Sequence, residues 1–333
     1  MVTKEQIQEA NAKDILKIAE SLGLPVTKVG SGYRSGKNLA YQFNPHTNTY
    51  SNYRTGVKGA DVIALFQNET GLDFEKAVEQ LCHTDVNLVE INHTPQPKEP
   101  FRWYFKTSPN ADRATELLVN QRKLPEKLIK LLVDKRYIIQ DKYQQIVFPW
   151  YKNGQVVGAD VKGTVYRPDE EHPYFKGIAK NSENFGYNIK VGSGRVKDIY
   201  IFEAPVDLLS YWALHPEIKD CLLFSVSGTS NANRVELAMN YAQATYGMSQ
   251  EPKEMERSIH ICVDNDEQGS KFWKKFDKQN DLVLEWNGDC ILFEDDRPDP
   301  AFGKDWNDVL TYHAKEYEQN LSEATTNEEM VMG

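Results

Sequence analysis

Two apolar runs rich in β-formers end abruptly in acid: IYIFEAPVDLLS over residues 199–210 and SIHICVDNDEQGSKF over 258–272. Glu203, Asp207, Asp264 and Asp266 therefore fall where buried strands would open onto a loop or a following helix. A doubly wound α/β sheet keeps its ligand site at those carboxyl ends. A third acidic stretch, GKDWNDVL over 303–310, adds Asp305 and Asp308. Gathering carboxylates is unfavourable, because two unit charges about 4 Å apart repel by roughly 4 kcal/mol at an effective dielectric of 20. A divalent cation removes that repulsion, and hard oxygen donors suit Mg²⁺. The residue types point first to a metal site.

Three look-alikes fit less well. A calcium EF-hand loop starting at Asp264 needs Asp or Asn at its fifth position and Glu at its twelfth. Those positions hold Gln268 and Lys275, and a strand leads in where a helix should. A phosphatase with an aspartyl nucleophile favours Thr or Val after its Asp-x-Asp, where this chain has Glu267. Helix capping by Asp266 explains one acid. It leaves the other two clusters unexplained.

The elements that must position these acids are legible from periodicity. From residue 198 onward strands and helices alternate: 199–202 then 205–214, 221–226 then 231–246, 259–263 then 268–279. That rhythm predicts a parallel sheet with crossover helices. Upstream, helical patterns cover 109–120 and 125–134, and QQIVFPWYKNGQVVGADVKGTVYR (144–167) alternates around Asn153-Gly154, a two-residue hairpin signal. At the N-terminus, residues 3–22 read as one amphipathic helix ending at Gly23. Short hairpins follow, with turns at Ser35-Gly36 and Pro45–Asn48, then two helices broken at Gly71. Residues 84–100 are polar and proline-containing, as a linker would be, and the acidic tail 319–333 reads as disordered.

Composition narrows the function classes. The chain has 333 residues, 40% of them hydrophobic, enough for two or three domains. No apolar stretch approaches the roughly 18 residues of a membrane span, and the N-terminus lacks a hydrophobic signal core, so the expectation is a cytoplasmic protein. Cys82, Cys221, Cys262 and Cys290 are scattered without a CxxC pair, which argues against a disulfide framework and a cysteine zinc site. The net charge of −10 is unevenly spread: residues 101–197 carry +8 and residues 198–333 carry −16. A basic segment of this kind attracts phosphate backbones.

The three acidic segments resemble the three acidic motifs of the Toprim domain of bacterial primases, topoisomerases and some nucleases. They are Glu203-Ala-Pro-Val-Asp207, Asp264-Asn-Asp266-Glu-Gln-Gly269 and Lys304-Asp305-Trp-Asn-Asp308. The resemblance implies Glu203, Asp264 and Asp266 as ligands of Mg²⁺, or of Mn²⁺ in its place. Asp207 and Asp305 would support the site with Asp308; Trp306 and Asn307 depart from the primase pattern at the third motif, leaving open whether Asn307 or Asp308 has the second role. IVFPWYKNGQVVGADVKGTVYR is similar to the hairpin that precedes the primase catalytic sheet, and YFKGIAKNSENFGYNI (174–189) to the lysine-bearing segment after it. Lys162, Arg167, Lys176 and Lys180 are then candidates for contacting nucleic-acid or nucleotide phosphates. NTYSNYRTGVKGADVIALFQNETGLDFEKAVEQL resembles the second half of the primase zinc ribbon, with Asn52 and Thr55 standing where a cysteine pair would be. No zinc is expected there, and Tyr33, Tyr41, Tyr50 and Tyr53 have two readings: packing in its stead, favoured because small sheets need aromatic cores, or stacking on single-stranded bases.

The implied fold class is α/β. A ribbon-like N-terminal domain (1–83) and the linker (84–100) precede a basic primase-like α+β subdomain (101–197) and a Toprim domain with a Rossmann-like, mainly parallel sheet (198–318). The implied activity is a primase-like nucleotidyltransferase of plasmid or phage type, acting on single-stranded DNA with nucleoside triphosphates. No P-loop motif and no large topoisomerase domain accompany the acids. No helicase segment follows, so a helicase or mobilisation partner is expected as a separate chain. Two alternatives stay open: an accessory factor that binds single-stranded DNA without polymerising, and a metal-dependent nuclease using the same acids.

Overall fold

The computed structural model describes residues 2–29, 32–36, 39–88, 99–168, 174–247, 257–280, 284–286, 289–317 and 319. It forms two compact units, Met1–Pro97 and Lys98–Gly333, each with its own core. Most of the expected linker (residues 89–98) and all of the expected tail except Gln319 lie outside the described residues.

In the first unit the apolar stripe over 3–22 is two helices, α1 (Lys4–Asn11) and α2 (Ile15–Ser21). A stripe with one face inward cannot distinguish one helix from two. The break is held by polar side chains that satisfy the freed backbone groups. Asp14 Oδ1 accepts from the amides of Leu16 (2.9 Å) and Lys17 (3.4 Å). Buried Asn48 donates through Nδ2 to the carbonyls of Asn11 (2.8 Å) and Lys13 (2.7 Å), and accepts from the Ile15 amide at 3.0 Å. Asp14→Ala is therefore expected to cost about 1 kcal/mol, read by chemical denaturation. An unchanged midpoint would mean that the cap carries no stability.

Five strands then run as an antiparallel meander: β1 (Thr27–Val29), β2 (Gly32–Ser35), β3 (Tyr41–Asn44), β4 (Thr49–Asn52) and β5 (Val57–Ala60). α3 (Val62–Thr70) and α4 (Phe74–His83) pack beside them, separated at Gly71, whose φ of 71° is the left-handed helix stop. The tyrosines divide. Tyr41 stacks between Phe43 (6.1 Å) and Tyr50 (6.0 Å), and Tyr50 is buried. Tyr53 instead faces solvent beneath the Arg34 guanidinium, 5.4 Å from its ring.

The second unit opens with an extended segment that alternates along its length. Phe101, Trp103 and Phe105 pack on Ile139, Val147, Ala159 and Ala179, while Arg102, Tyr104 and Lys106 face out. Next, α5 (Asp112–Thr115) continues as a π-helix (Glu116–Gln121), seen where the Arg122 amide reaches the Leu117 carbonyl at 3.0 Å. α6 (Glu126–Asp134) follows. An antiparallel four-stranded sheet has the order β6 (Ile139–Gln140), β7 (Ile146–Lys152), β8 (Gln155–Lys162), β9 (Lys176–Ile178). The β7–β8 turn is Asn153-Gly154 with φ of 52° and 76°, the pair of positive values a type I′ turn requires.

The six-stranded sheet is built from β10 (Asn188–Val191), β11 (Asp198–Phe202), β12 (Cys221–Ser225), β13 (Arg257–Ile261), β14 (Leu284–Trp286) and β15 (Asp289–Asp295). Its order is β10-β12-β11-β13-β15-β14; the four central strands are parallel and both edges antiparallel. Burial on both faces explains why β11 and β12 read as nearly unbroken apolar runs. α7 (Pro205–Leu214), α8 (Asn233–Tyr246), α9 (Glu267–Asn280) and a last helix, α10 (306–317), follow strand ends or close the unit. The two sheets share one core, in which Phe148 of β7 meets Tyr187 edge-on at 5.4 Å. No described helix is long and apolar enough to cross a membrane.

Candidate active site

Each acid is placed by the way a strand or loop hands over to a helix. β11 ends at Phe202, so Glu203 is the first residue beyond the sheet, and Pro205 opens α7 with Asp207 in its first turn. The neighbouring parallel strand β13 delivers Asp264 and Asp266 in the same way. Asp266 Oδ1 caps α9 by accepting from the Gly269 amide at 2.8 Å. Asp305 caps α10, its Oδ1 accepting from the Asp308 amide at 2.7 Å. The Asn265 amide donates to the Lys304 carbonyl at 2.7 Å, tying the second acidic loop to the third.

Glu203, Asp207, Asp264 and Asp305 consequently line one cleft of about 90 Å³. Facing them are Arg122, Lys162 and Lys176. Asp266 sits beside Asp264 through a shared cation: the Lys304 ammonium lies 3.3 Å from Asp264 and 2.9 Å from Asp266.

Crowding and burial set the charges. Glu203 is pushed up to about 7, first by burial and then by repulsion from Asp264. Asp264 is pushed up to about 6 by burial and by Asp305, with Lys304 pulling the other way. Buried Asp207 is driven well above the carboxylate range by desolvation and Asp305. Burial raises Asp266 too, yet the Gly269 amide and Lys304 outweigh it and hold the group low. On the basic side, Lys162 is pushed down to about 7 by burial and by the charges of Arg122 and Lys176.

These donors fit a hard divalent cation chemically: all are carboxylate oxygens, and Glu203 and Asp264 are pushed up by burial and by neighbouring carboxylates, a repulsion that a bound cation would relieve. Among the described residues no three His, Cys, Asp or Glu side chains already stand as a cage around one point. The balancing charge between Asp264 and Asp266 is the Lys304 ammonium.

Other residues singled out in the sequence lie elsewhere. Asp308 is exposed and turns back onto its own loop, accepting from the Lys304 amide at 3.0 Å. Asn307 is buried, donating to the Arg122 carbonyl (2.8 Å) and Ser210 Oγ (3.0 Å), so neither of the pair lines the cleft. Arg167 and Lys180 are exposed and outside the lining. Lys162 is in the cleft but buried, its ammonium 5.5 Å from the Tyr174 ring.

Arg122, Lys304 and Asp160 are additions that sequence reasoning did not single out. Arg122 carried no signal, being a cation at a helix end. For Asp160 a signal existed: Asp160 and Lys162 are two apart on a predicted strand, so both point to one face. Asp160 accepts from Trp150 Nε1 at 2.7 Å and Ser227 Oγ at 3.0 Å, and Arg234 lies 5.0 Å from the Trp150 ring. Burial, only partly offset by those two hydrogen bonds, pushes Asp160 up to about 6. Its folded pKa thus exceeds its unfolded one, so the protonated acid adds stability at low pH that is lost as pH rises through about 6. Asp160→Asn keeps an acceptor without the charge. Its melting temperature is expected to exceed the parent's above pH 6, with the gap closing toward pH 4. A gap independent of pH would contradict the assignment.

Comparison with known proteins bears on both parts of this unit. Residues 116–194 match a family described as a protein of unknown function, DUF3991, and residues 200–310 match the Toprim-like family. An uncharacterized protein of Bacillus anthracis, pXO2-78, is 28% identical over 333 residues, covering 95% of this chain and 92% of that one. Among solved structures, the primase fragment of the bacteriophage T7 primase-helicase superposes with a TM-score of 0.40 at 12% identity, covering 85% of this chain and 93% of that one. A chain from the bacteriophage T7 lagging-strand DNA polymerase complex with primase domains gives 0.36 at 15% identity, covering 66% and 90%. Those scores are too low to bear on function. The matched span takes in the ends of β11 and β13 that carry the acids, and residues 200–310 of this chain are a Toprim-like domain.

Proposed function

We propose that this protein is a primase-like nucleotidyltransferase that joins nucleotides into short primers on single-stranded DNA. The observation that carries the reading is the convergence of acids from three distant segments on one cleft faced by Arg122, Lys162 and Lys176. Carboxylates alone would repel a phosphate chain, and cations alone would bind it without activating it. Together they suit phosphoryl transfer, in which charge must be balanced rather than a protein nucleophile supplied. Mg²⁺, or Mn²⁺, held by Glu203, Asp264 and Asp266, would neutralise phosphate charge and acidify an attacking hydroxyl.

The chain's own residues then have separable tasks. Asp305 supports the negative field that retains a cation, and Asp207, kept uncharged by burial and by Asp305, would add its own charge once a cation is bound. Lys176 and Arg122 receive phosphate oxygens. Lys162, poised near neutrality by its burial, offers a proton at Nζ to a phosphate oxygen. Lys304 must release Asp264 and Asp266 when another cation is bound, and its ammonium is then free for the substrate's phosphates. At about 90 Å³ the cleft is well below the size of pockets that enclose ligands, roughly 300–1,000 Å³. A nucleotide would therefore dock its phosphates at the mouth. The partners of this reading are single-stranded DNA, nucleoside triphosphates and a separate helicase or mobilisation protein.

The test is primer synthesis on mixed single-stranded templates with labelled nucleotides and Mg²⁺. Short labelled products that disappear in Asp264→Ala support polymerisation. Shortened template would identify a nuclease instead. Retention of DNA in a gel with neither product would identify a binding factor.

A further inference from the structure

A second concavity, of about 450 Å³, lies on the outer side of the four-stranded sheet. We infer that this groove is a base-stacking site for single-stranded nucleic acid. Its floor is Phe105, Val161, Gly177 and Ala179, and its walls carry Tyr104, Tyr143 and Phe175. The chain dictates this arrangement. Alternation in the extended segment buries Phe105 and turns Tyr104 out, and the Tyr104 ring then stacks on Phe105 at 4.4 Å. Phe175, one residue before β9, folds over Gly163 and Gly177, where a Cβ would meet it at 3.0 and 2.9 Å. Tyr143 projects from the β6–β7 turn.

Single exposed apolar side chains are ordinary. Three aromatic rings around one groove, exposed by 55% (Tyr104), 68% (Tyr143) and 48% (Phe175), are not. The surrounding charge identifies the occupant. Lys106 and Lys142 line the groove, and the Lys142 ammonium rests 4.5 Å from the Tyr143 ring. Lys180 is anchored at the groove through its amide, which donates to Tyr104 Oη at 3.1 Å. The acid in the lining, Asp141, is consumed by its own turn: it accepts from the amides of Tyr143 (2.9 Å) and Gln145 (2.8 Å) and from Gln145 Nε2 (3.2 Å).

Exposed rings set among lysines match bases joined by phosphates. An extended peptide added to β9 would use the rings but leave the lysines without a counter-charge. Val161 and Gly177 line both this groove and the acidic cleft, so a strand held here would run past the acids. The inference rests on the proposed action upon single-stranded DNA, but not on chemistry at the carboxylates.

Fluorescence anisotropy of an end-labelled twelve-nucleotide oligothymidylate, in EDTA so that no reaction occurs, tests it. Tyr143→Ala and Phe175→Ala are each expected to weaken binding about tenfold, with an unchanged melting temperature for Tyr143→Ala, whose ring is the more exposed. Tyr143→Phe should retain the parent affinity, since the ring and not the hydroxyl is used. Lys142→Ala should lower the slope of log affinity against log salt by about one, whereas the ring variants leave it alone. If the parent binds and both ring variants bind equally well, the groove is not the site, while the proposed function stands. If the parent fails to bind the oligonucleotide at all, both fall.

Discussion

Glu203→Gln is expected to yield fewer than about one primer in a thousand relative to the parent, while holding single-stranded DNA as well or better. The first half follows from what an amide lacks. Gln keeps the length and one oxygen of Glu203 but carries no negative charge, so it contributes little to retaining a divalent cation against its water. The second half follows from electrostatics: one carboxylate fewer faces the phosphate chain. Folding should not suffer, because Glu203 is held up at about 7 by burial and by Asp264, and an uncharged side chain relieves both. An equal or higher melting temperature should accompany the lost activity. Retained primer synthesis, or a marked loss of DNA affinity, would remove Glu203 from the assigned role.

Gly269→Ala is the second large effect, and it acts without touching any charge. A Cβ on Gly269 would lie 1.8 Å from the Asp264 carbonyl oxygen and 2.9 Å from its carbon. Backbone cannot yield as a flexible side chain does. Either α9 retreats or the loop bearing Asp264 is displaced, and Asp266 follows in both cases because it caps the Gly269 amide at 2.8 Å. Overpacking of this kind costs about 1–3 kcal/mol. Moving two acids by a fraction of an ångström to 1 Å should lower primer synthesis by about a hundredfold. Calorimetry would show the destabilisation, and the rise in melting temperature on adding Mg²⁺ should shrink with it. Full activity in this variant would mean that the position of Asp264 is not critical.

The acids were legible because chemistry and periodicity agree at one kind of place. Polar residues directly after a buried strand stand out against the apolar run before them, and parallel neighbours bring two such ends together; Glu203 and Asp264 are the result. Asp305 was legible only as one of a cluster. What the spacing hides is that capping α10 turns Asp305 into the cleft while Asp308 faces away. The cations were harder. Lys162 reads as a surface lysine until β8 is seen to bury that face, and Arg122 reaches the cleft from a helix more than 80 positions upstream of Glu203. Nothing local marks a charge whose partners come from another element. The stretch 101–107 carries its alternation openly, yet with no turn signal and no ladder of its own nothing in it points to a place on a sheet face.

The π-helical turn at Glu116–Gln121 has a consequence for how length variation in this region should be tolerated. A π-turn holds one residue more than the α-turn it replaces. Deleting a single residue from it would let the chain close into ordinary α-helix, with its backbone bonding intact. The elements on either side would keep their phase, because the widened turn absorbs its extra residue within a single turn of the helix. Arg122 would keep the Asn307 Oδ1 that it now reaches at 3.1 Å, and the guanidinium would stay before the acids it faces. A chain one residue shorter at this turn is thus expected to keep both its helix content and its working end, whereas the same deletion in regular helix would not.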